Sequence, residues 1–348
     1  MDTPAVRCLT SITSSYLPKA RILAKSLKRF HPGWRFDVLL SDRLPEEVNL
    51  AEEPFDSVIY PEQIPLENRQ TWIFRHALVE LCTAMKGPGL EYILDTYQPR
   101  KVIYFDPDMV IFNALDELER LLDIHPVILT PHLTKPNTSL QAIIDHEICA
   151  MQHGIFNLGF FAVRNEGQGR DFARWWSHRL YHFCYDDKAS GLFTDQKWCD
   201  HVPAFFDETY ILRDPGYNVA TWNINMRPLI LTDQGILLAD GRPLRFYHFT
   251  GFDSGAGHQS LSQYGGDNPI LKEMWDWYAR ELDRNGQPDA EKYEWYYGKF
   301  RNGKVITPEM RQRYMQRPDL QQAFPDPYET TKERGGYYEW YTKYPDFS

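Results

Sequence analysis

The 348-residue sequence lacks paired cysteines, long apolar runs and an excess of basic residues, and each absence excludes a class of protein. Its five cysteines are odd in number and form no Cys-x-x-Cys pair, which argues against a disulfide framework and a structural zinc site. No apolar run approaches the roughly 18 residues of a membrane-spanning helix, and no basic start precedes an apolar stretch at the N-terminus. The formal net charge of −10 disfavours sequence-independent binding to nucleic acid, which needs basic surfaces. We therefore expect a cytoplasmic protein with no nucleic-acid partner.

Two aspartates one residue apart interrupt an apolar stretch in the first third of the chain. Val102 to Phe105 and Met109 to Phe112 have the β-branched and aromatic composition of buried strands. Pro107 has no N–H to offer a neighbouring strand, so it breaks the strand between Asp106 and Asp108. Two carboxylates held this close need a compensating cation if they are buried, and hard oxygen ligands suit Mg²⁺ or Mn²⁺. A plain acidic turn is the simpler interpretation, but the flanking strands favour a metal site.

The order of the predicted elements indicates an α/β fold with a largely parallel sheet. A first strand from Val6 to Thr13 precedes a helix from Pro18 to Phe30 and two further strands, which is the β-α-β order of layered folds. An apolar helix is predicted from Trp72 to Met85, with the Gly87-Pro88-Gly89 segment ending it. Thr194 is predicted to cap a short helix.

Several of these features occur in one order that resembles a known family. They are Thr10-Ser11 at the end of the first strand, an aromatic helix carrying Arg75, Asp106-Pro107-Asp108, Phe156-Asn157-Leu158-Gly159, Asp195-Gln196 and His248. The combination resembles the GT-A glycosyltransferases, and most closely the retaining family that includes bacterial galactosyltransferases and glycogenin. The resemblance covers about residues 6–255. It implies a Rossmann-like nucleotide-sugar-binding fold with a mixed, mostly parallel central sheet flanked by helices.

The resemblance also implies roles for individual residues. Asp106, Asp108 and His248 would hold Mn²⁺ or Mg²⁺, and Asp195 and Gln196 would act on the donor sugar near its anomeric carbon. The residues that it implies around the nucleotide-sugar are Thr10, Ser11, Arg75, Asp106, Asn157, Gly159 and Gly251. Without the resemblance, His248 could as well be a buried core histidine as a metal ligand. Arg75 could as well be a surface charge as a donor contact. Asp195 and Gln196 would then be an ordinary helix start.

One departure from the family pattern concerns the loop after His248. In the family, the late histidine and glycine are followed by a Lys-Pro-Trp sequence that grips the diphosphate. Here Gly251 is retained, but Phe252-Asp253-Ser254 follows it. The role of the missing lysine would then fall on the metal, on a loop hydroxyl or on an arginine elsewhere.

The expected function is metal-dependent transfer of a sugar from a nucleotide-diphosphate donor, with a UDP-sugar favoured. The acceptor would be a hydroxyl of a glycan or lipid-linked glycan in bacterial surface polysaccharide synthesis, and we favour retention of the anomeric configuration. Two alternatives stay open. A sugar nucleotidyltransferase would need a glycine-rich phosphate loop after the first strand, and residues 10–16 contain no glycine. A non-catalytic carbohydrate-binding protein could keep the fold without the chemistry.

The C-terminal part of the chain differs in composition from the rest. We predict a catalytic domain over residues 1–290 and an aromatic-rich arm over residues 291–348. The arm holds ten basic and nine acidic residues, in contrast to the acidic remainder. Its tyrosines and tryptophans are predicted either to pack on the main domain, or to cover the acceptor side or dock the enzyme on a lipid-linked glycan or a partner enzyme. For the protein as a whole, peripheral association with the inner face of the membrane is the accompanying expectation.

Overall fold

The computed structural model describes residues 5–330 and 335–344. Its strands are β1 (Val6–Ile12), β2 (Arg35–Leu40), β3 (Ser57–Ile59), β4 (Lys101–Phe105), β5 (Met109–Ile111), β6 (Val127–Pro131), β7 (Phe156–Arg164), β8 (Asp186–Asp187), β9 (Leu192–Phe193), β10 (Thr209–Ile211), β11 (Val219–Ala220), β12 (Leu229–Leu231), β13 (Leu237–Ala239), β14 (Arg242–Pro243) and β15 (Phe246–His248). Its helices are α1 (Leu17–Phe30), α2 (Arg69–Phe74), α3 (Leu78–Ala84), α4 (Lys86–Thr96), α5 (Asp116–Ile124), α6 (Leu140–Ala142), α7 (Cys149–His153), α8 (Gly167–Phe183), α9 (Val202–Phe205), α10 (Ala256–Tyr264), α11 (Pro269–Arg284), α12 (Gln287–Ala290), α13 (Pro308–Gln316), α14 (Pro318–Ala323) and α15 (Tyr337–Lys343).

Seven strands form the central sheet, in the order β10-β6-β7-β4-β1-β2-β3. Strand β7 runs antiparallel to its neighbours β4 and β6, whereas the other neighbouring strands pair in parallel. Alternate residues of the strands enter two separate hydrophobic clusters, with Leu9 and Tyr104 in one and Cys8 and Phe105 in the other. Both faces of the sheet are therefore covered, as parallel strands require. The predicted mixed, mostly parallel α/β fold is confirmed.

A small second sheet extends the strand that Pro107 interrupts. Strand β5 leaves the central sheet after the Asp106-Pro107-Asp108 segment and pairs antiparallel with β15, which pairs in parallel with β11. The register places His248 opposite Met109. The break predicted at Pro107 thus redirects the chain, and it brings the late histidine to the two aspartates.

The prediction of one helix from Trp72 to Met85 was wrong. The segment contains the end of α2, a break and α3, and Gly87-Pro88-Gly89 lies inside the first turn of α4. A Cβ on Gly87 would lie 2.6 Å from the Cα of Ser177, and one on Gly89 would lie 2.3 Å from the Leu39 side chain. These glycines therefore allow α4 to pack closely on α8 and on the sheet. Pro88 is tolerated because the N–H groups of a first helical turn need no partner within the helix.

The described part of the arm packs against the main domain. The ring of Phe74 on α2 contacts four aromatic rings of the arm, which belong to Phe300, Tyr314, Tyr328 and Tyr337. Arg311 is buried and donates hydrogen bonds to the carbonyl oxygens of Phe74 and Tyr297. Residues 331–334 and 345–348 of the predicted arm lie outside the described residues, and the boundary at residue 290 stays a prediction.

Within the described residues, none of the helices has the length and apolar character needed to cross a membrane.

Candidate active site

Three side chains from two distant parts of the chain converge at the carboxyl end of β4. Potential ligand atoms of Asp106, Asp108 and His248 all lie within 4.8 Å of one another. His248 Nε2 is 3.0 Å from Asp108 Oδ1, and its side chain is 5% exposed. The cluster that the sequence predicted is therefore assembled in the fold.

Local backbone contacts explain why these three residues meet. The N–H of Phe249 donates to the carbonyl of Asp108, and the N–H of Asp106 donates to the carbonyl of Gly159. A Cβ on Gly159 would lie 2.7 Å from His248 Cε1 and 2.8 Å from Asp106 Oδ2. Only glycine leaves room for the cluster at this position, which confirms that a close approach accounts for the glycine within β7.

The chemistry of the cluster fits a divalent cation. It offers two carboxylates and one imidazole, a donor set that suits Mn²⁺ or Mg²⁺. The Nδ1 atom of His248 is buried and has no hydrogen-bond partner among the described residues. Burial alone would raise the pKa of Asp108, but His248, with a smaller contribution from the charge of Lys19, lowers it to about 2. Burial lowers the pKa of His248, yet Asp108 and Asp106 raise it above its ordinary value. Both shifts show that the carboxylates favour a positive charge beside them.

Lys86 is the residue of this site that the sequence analysis missed. Its ammonium group lies 3.1 Å from Asp106 Oδ1 and 3.0 Å from Asp195 Oδ2, and its side chain is 4% exposed. Burial lowers the pKa of Lys86, but the charges of the two aspartates outweigh burial and raise it above the ordinary value. Lys86 directly precedes Gly87-Pro88-Gly89 in the sequence, but we interpreted that segment as the end of a helix and so did not consider the lysine.

Asp195 and Gln196 both line the cavity beside the cluster. Burial raises the pKa of Asp195, and the charge of Lys86 opposes that shift. Gln196 Oε1 accepts from the N–H of Leu158, and its Nε2 donates to the carbonyl of His153. The predicted capping role of Thr194 was wrong, because the short helix begins at Lys197. Thr194 has a positive φ of 42° and donates from its hydroxyl to Asp195 Oδ1.

Asn157 lies just behind this cavity in a network of buried amides. Its Oδ1 accepts a hydrogen bond of 3.0 Å from Asn218 Nδ2, and its side chain also approaches Gln196 at 3.4 Å. The network joins β7 to the segment before β11. Asn157 therefore helps to orient Gln196.

The remaining predicted residues divide between those at the cavity and those away from it. Ser11 lines the cavity and donates to the carbonyl of Cys82, whereas Thr10 is fully buried and does not line it. Gly251 has a φ of 68° and follows Thr250, which does line the cavity. Arg75 directly follows α2 and does not line the cavity, and the cation found there is Lys86.

The cavity has a volume of about 630 Å³, which is within the range of small-molecule sites. It runs from the end of β1 past Asp106 and Asp108 to Asp195. A larger cavity of about 930 Å³ lies between the loop after β2 and the arm, and it contains none of the metal-ligating or catalytic candidates. We assign the site to the smaller cavity because the reactive groups lie there.

Comparison with known sequences finds two relatives in Bacillus subtilis (strain 168). The chain is 27% identical over 181 residues to the uncharacterised protein YfnF, covering 50% of this chain and 57% of YfnF. It is 23% identical over 254 residues to the uncharacterised protein YfnD, covering 70% of this chain and 76% of YfnD. The chain thus spans little more than half of the length of YfnF. No protein-family model matches the sequence.

Comparison with solved structures finds similar chains at low sequence identity. One is the galactosyltransferase LgtC in complex with donor and acceptor sugar analogues, at 16% identity and a TM-score of 0.48, covering 80% of this chain and 95% of LgtC. Another is the glycosyltransferase GlyE of Streptococcus pneumoniae TIGR4, at 18% identity and a TM-score of 0.45, covering 86% of this chain and 67% of GlyE.

Proposed function

We propose that the protein is a metal-dependent glycosyltransferase of the GT-A type, which moves a sugar from a nucleotide-diphosphate donor to an acceptor hydroxyl. The observation that carries this proposal is the convergence of Asp106, Asp108 and His248 beside a cavity of substrate size. Mn²⁺ or Mg²⁺ held by these residues would supply Lewis-acid stabilisation of the charge on the departing diphosphate. A UDP-sugar is the favoured donor, as the sequence resemblance implies.

The chain's own groups suit the sugar end of the donor. Lys86 lies between Asp106 and Asp195, and its ammonium group offsets the negative charge of both side chains. Asp195 would stabilise positive charge that develops at the anomeric carbon. Gln196 is held by two backbone groups, so its side chain presents a fixed edge to the cavity. We assign the catalytic roles to Asp195 and Gln196, with Lys86 as the residue that positions Asp195.

The carboxylates that line the cavity favour retention of the anomeric configuration. Inversion needs a free carboxylate as general base on the opposite face of the sugar, by analogy with glycoside hydrolysis. Glu80 accepts hydrogen bonds from the N–H groups of Ala77 and Asp186. The Asp186 carboxylate pairs with Lys188, and Asp195 pairs with Lys86. Among the described residues of the cavity, each carboxylate outside the metal cluster has a hydrogen-bond or ion-pair partner, which supports retention.

The acceptor proposal is a hydroxyl of a glycan or lipid-linked glycan in bacterial surface polysaccharide synthesis, reached from the inner face of the membrane. An exposed apolar row beside the site supports peripheral contact with lipid. It comprises Leu140, Ile144, Ile148 and Met151 on the helical segment 140–153. The same segment ends at His153, whose carbonyl accepts the hydrogen bond from Gln196.

Thermal unfolding with a panel of UDP-, GDP- and TDP-sugars tests the proposal. A ligand that binds the folded state raises the midpoint of unfolding. We expect one sugar nucleotide to raise it when Mn²⁺ is present and not when the metal is chelated. The variant Asp108→Asn should lose the metal-dependent part of the shift. If no member of the panel changes the midpoint with either metal, the proposal fails.

A further inference from the structure

The loop after His248 carries an acidic residue that holds a buried lysine. Asp253 Oδ2 accepts a hydrogen bond of 2.8 Å from the hydroxyl of Tyr16 and forms an ion pair with Lys19 at the start of α1. The Lys19 side chain is 3% exposed, whereas that of Asp253 is 44% exposed. The ammonium also lies 4.1 Å from the centre of the Tyr16 ring. A buried cation thus depends on a carboxylate from an exposed loop.

Such a pair is unusual because a buried charge is costly unless its partner is well held. Asp253 lies in a short segment between Gly251 and Gly255, both of which have a positive φ. The carboxylate of Asp253 can therefore move away from Lys19 without disturbing a strand or helix. Lys19, by contrast, is held by α1, which packs against β5 and α11. The fixed member of the pair is therefore the cation, and the replaceable member is the anion.

The ion pair adjoins the candidate active site through Tyr16. Tyr16, which contacts both Lys19 and Asp253, lines the cavity together with Asp108 and Thr250. The loop that carries Asp253 is tied to the cluster, because the N–H of Phe249 donates to the carbonyl of Asp108. Tyr16 and this loop together place the Lys19–Asp253 pair beside the cavity that holds the metal cluster.

We propose that Lys19 is the cation that binds the diphosphate of the donor, and that Asp253 occupies its place until the donor arrives. This inference rests on the proposed function. It supplies the positive charge that the Phe252-Asp253-Ser254 loop lacks, and the source is a lysine on α1. From the sequence, the expected sources of that charge were the metal, a loop hydroxyl or an arginine. Phosphate oxygens replace the Asp253 carboxylate as the partner of Lys19, and the loop is released to close over the donor.

Calorimetric titration of the full-length protein with nucleotides in the presence of Mn²⁺ tests this assignment. The ligands are UDP, GDP and TDP, and each is compared with its own nucleoside in a separate titration. Lys19→Met should lower the affinity for the diphosphate that binds wild-type protein by about 10- to 100-fold, which is the range of one charge-assisted hydrogen bond. The affinity for the corresponding nucleoside should change by no more than about twofold. Lys19→Arg should restore most of the affinity. Lys25→Met is the matched control, since it removes an exposed lysine from the same helix.

A second variant decides the question if Lys19→Met does not fold. Asp253→Asn removes the competing carboxylate from an exposed position, so it should tighten diphosphate binding by about threefold or more. Unchanged diphosphate affinity in Asp253→Asn, or in a folded Lys19→Met, overturns the assignment of Lys19 and leaves the proposed function standing. If wild-type protein binds none of the diphosphates, the proposed function itself fails, and this inference fails with it.

Discussion

The ammonium group of Lys86 lies 3.0 Å from the carboxylate of Asp195, and both side chains are almost fully buried. The same ammonium approaches Asp106 at 3.1 Å, so one lysine joins the proposed metal cluster to the proposed catalytic carboxylate. Without it, the buried carboxylate of Asp195 and the partly buried carboxylate of Asp106 would lie close together with no cation between them. The pair therefore links the stability of the site to its chemistry.

Replacing Lys86 by methionine tests that link. Removing one partner of a buried ion pair typically costs about 3–5 kcal/mol, because the remaining charge is left uncompensated. We expect Lys86→Met to lower the free energy of unfolding by this amount and to abolish donor turnover. The measurement is urea unfolding beside a turnover assay.

Lys101→Met is the control for this substitution. Lys101 is 4% exposed, but its closest carboxylate, Asp123, is 49% exposed and can be solvated by water once the lysine is removed. This variant should lose less stability than Lys86→Met and keep turnover. Equal losses in the two variants would show that Lys86 acts only as a buried side chain.

How far the sequence predicts this site depends on which contacts are local. The break at Pro107 and the close approach at Gly159 follow from the residues themselves, and both were predicted. His248 reaches Asp108 only because β15 pairs with β5, a long-range pairing that no local pattern encodes. Lys86 was missed because a glycine-proline segment indicates a helix end when the neighbouring helix is not known. Thr194 was assigned as a cap from its residue type and position, and no local sequence pattern indicates its left-handed conformation.

Gly159→Ala tests the space that the metal cluster requires. The new Cβ would lie within 3 Å of His248, Asp106 and Asn157. We expect Mn²⁺ affinity, measured by calorimetry, to fall by at least about 10-fold, because displaced ligands bind metal poorly. Gly33→Ala is the control, since a Cβ there meets no atom within 4 Å. Wild-type metal affinity in Gly159→Ala would contradict the proposed cluster.

Gln196→Ala tests the assignment of this residue to the sugar. We expect kcat to fall by about 100-fold while the affinity for the nucleoside diphosphate changes little, since a transition-state contact is lost. The variant also removes hydrogen bonds to the backbone of Leu158 and His153, so its unfolding should be measured in parallel. A large loss of nucleotide affinity in a folded variant would place Gln196 at the nucleotide.

The arm is expected to be part of the folded core. Tyr337 is fully buried against Phe74, and Tyr296 in the same arm is 47% exposed. Tyr337→Ala should cost about 3–5 kcal/mol in urea unfolding, the usual range for a buried aromatic ring, and Tyr296→Ala much less. Truncation before Glu291 should yield insoluble protein. A soluble, folded truncation that still turns over donor would contradict a structural role for the arm.

The central claim is metal-dependent use of a sugar nucleotide, and release of nucleoside diphosphate from UDP-, GDP- and TDP-sugars tests it most directly. We predict release from one donor with Mn²⁺ or Mg²⁺, no release in excess EDTA, and about 100-fold less in Asp108→Asn, which should still unfold in one cooperative transition. Full release in excess EDTA, or no release from any donor with either metal, would contradict the account.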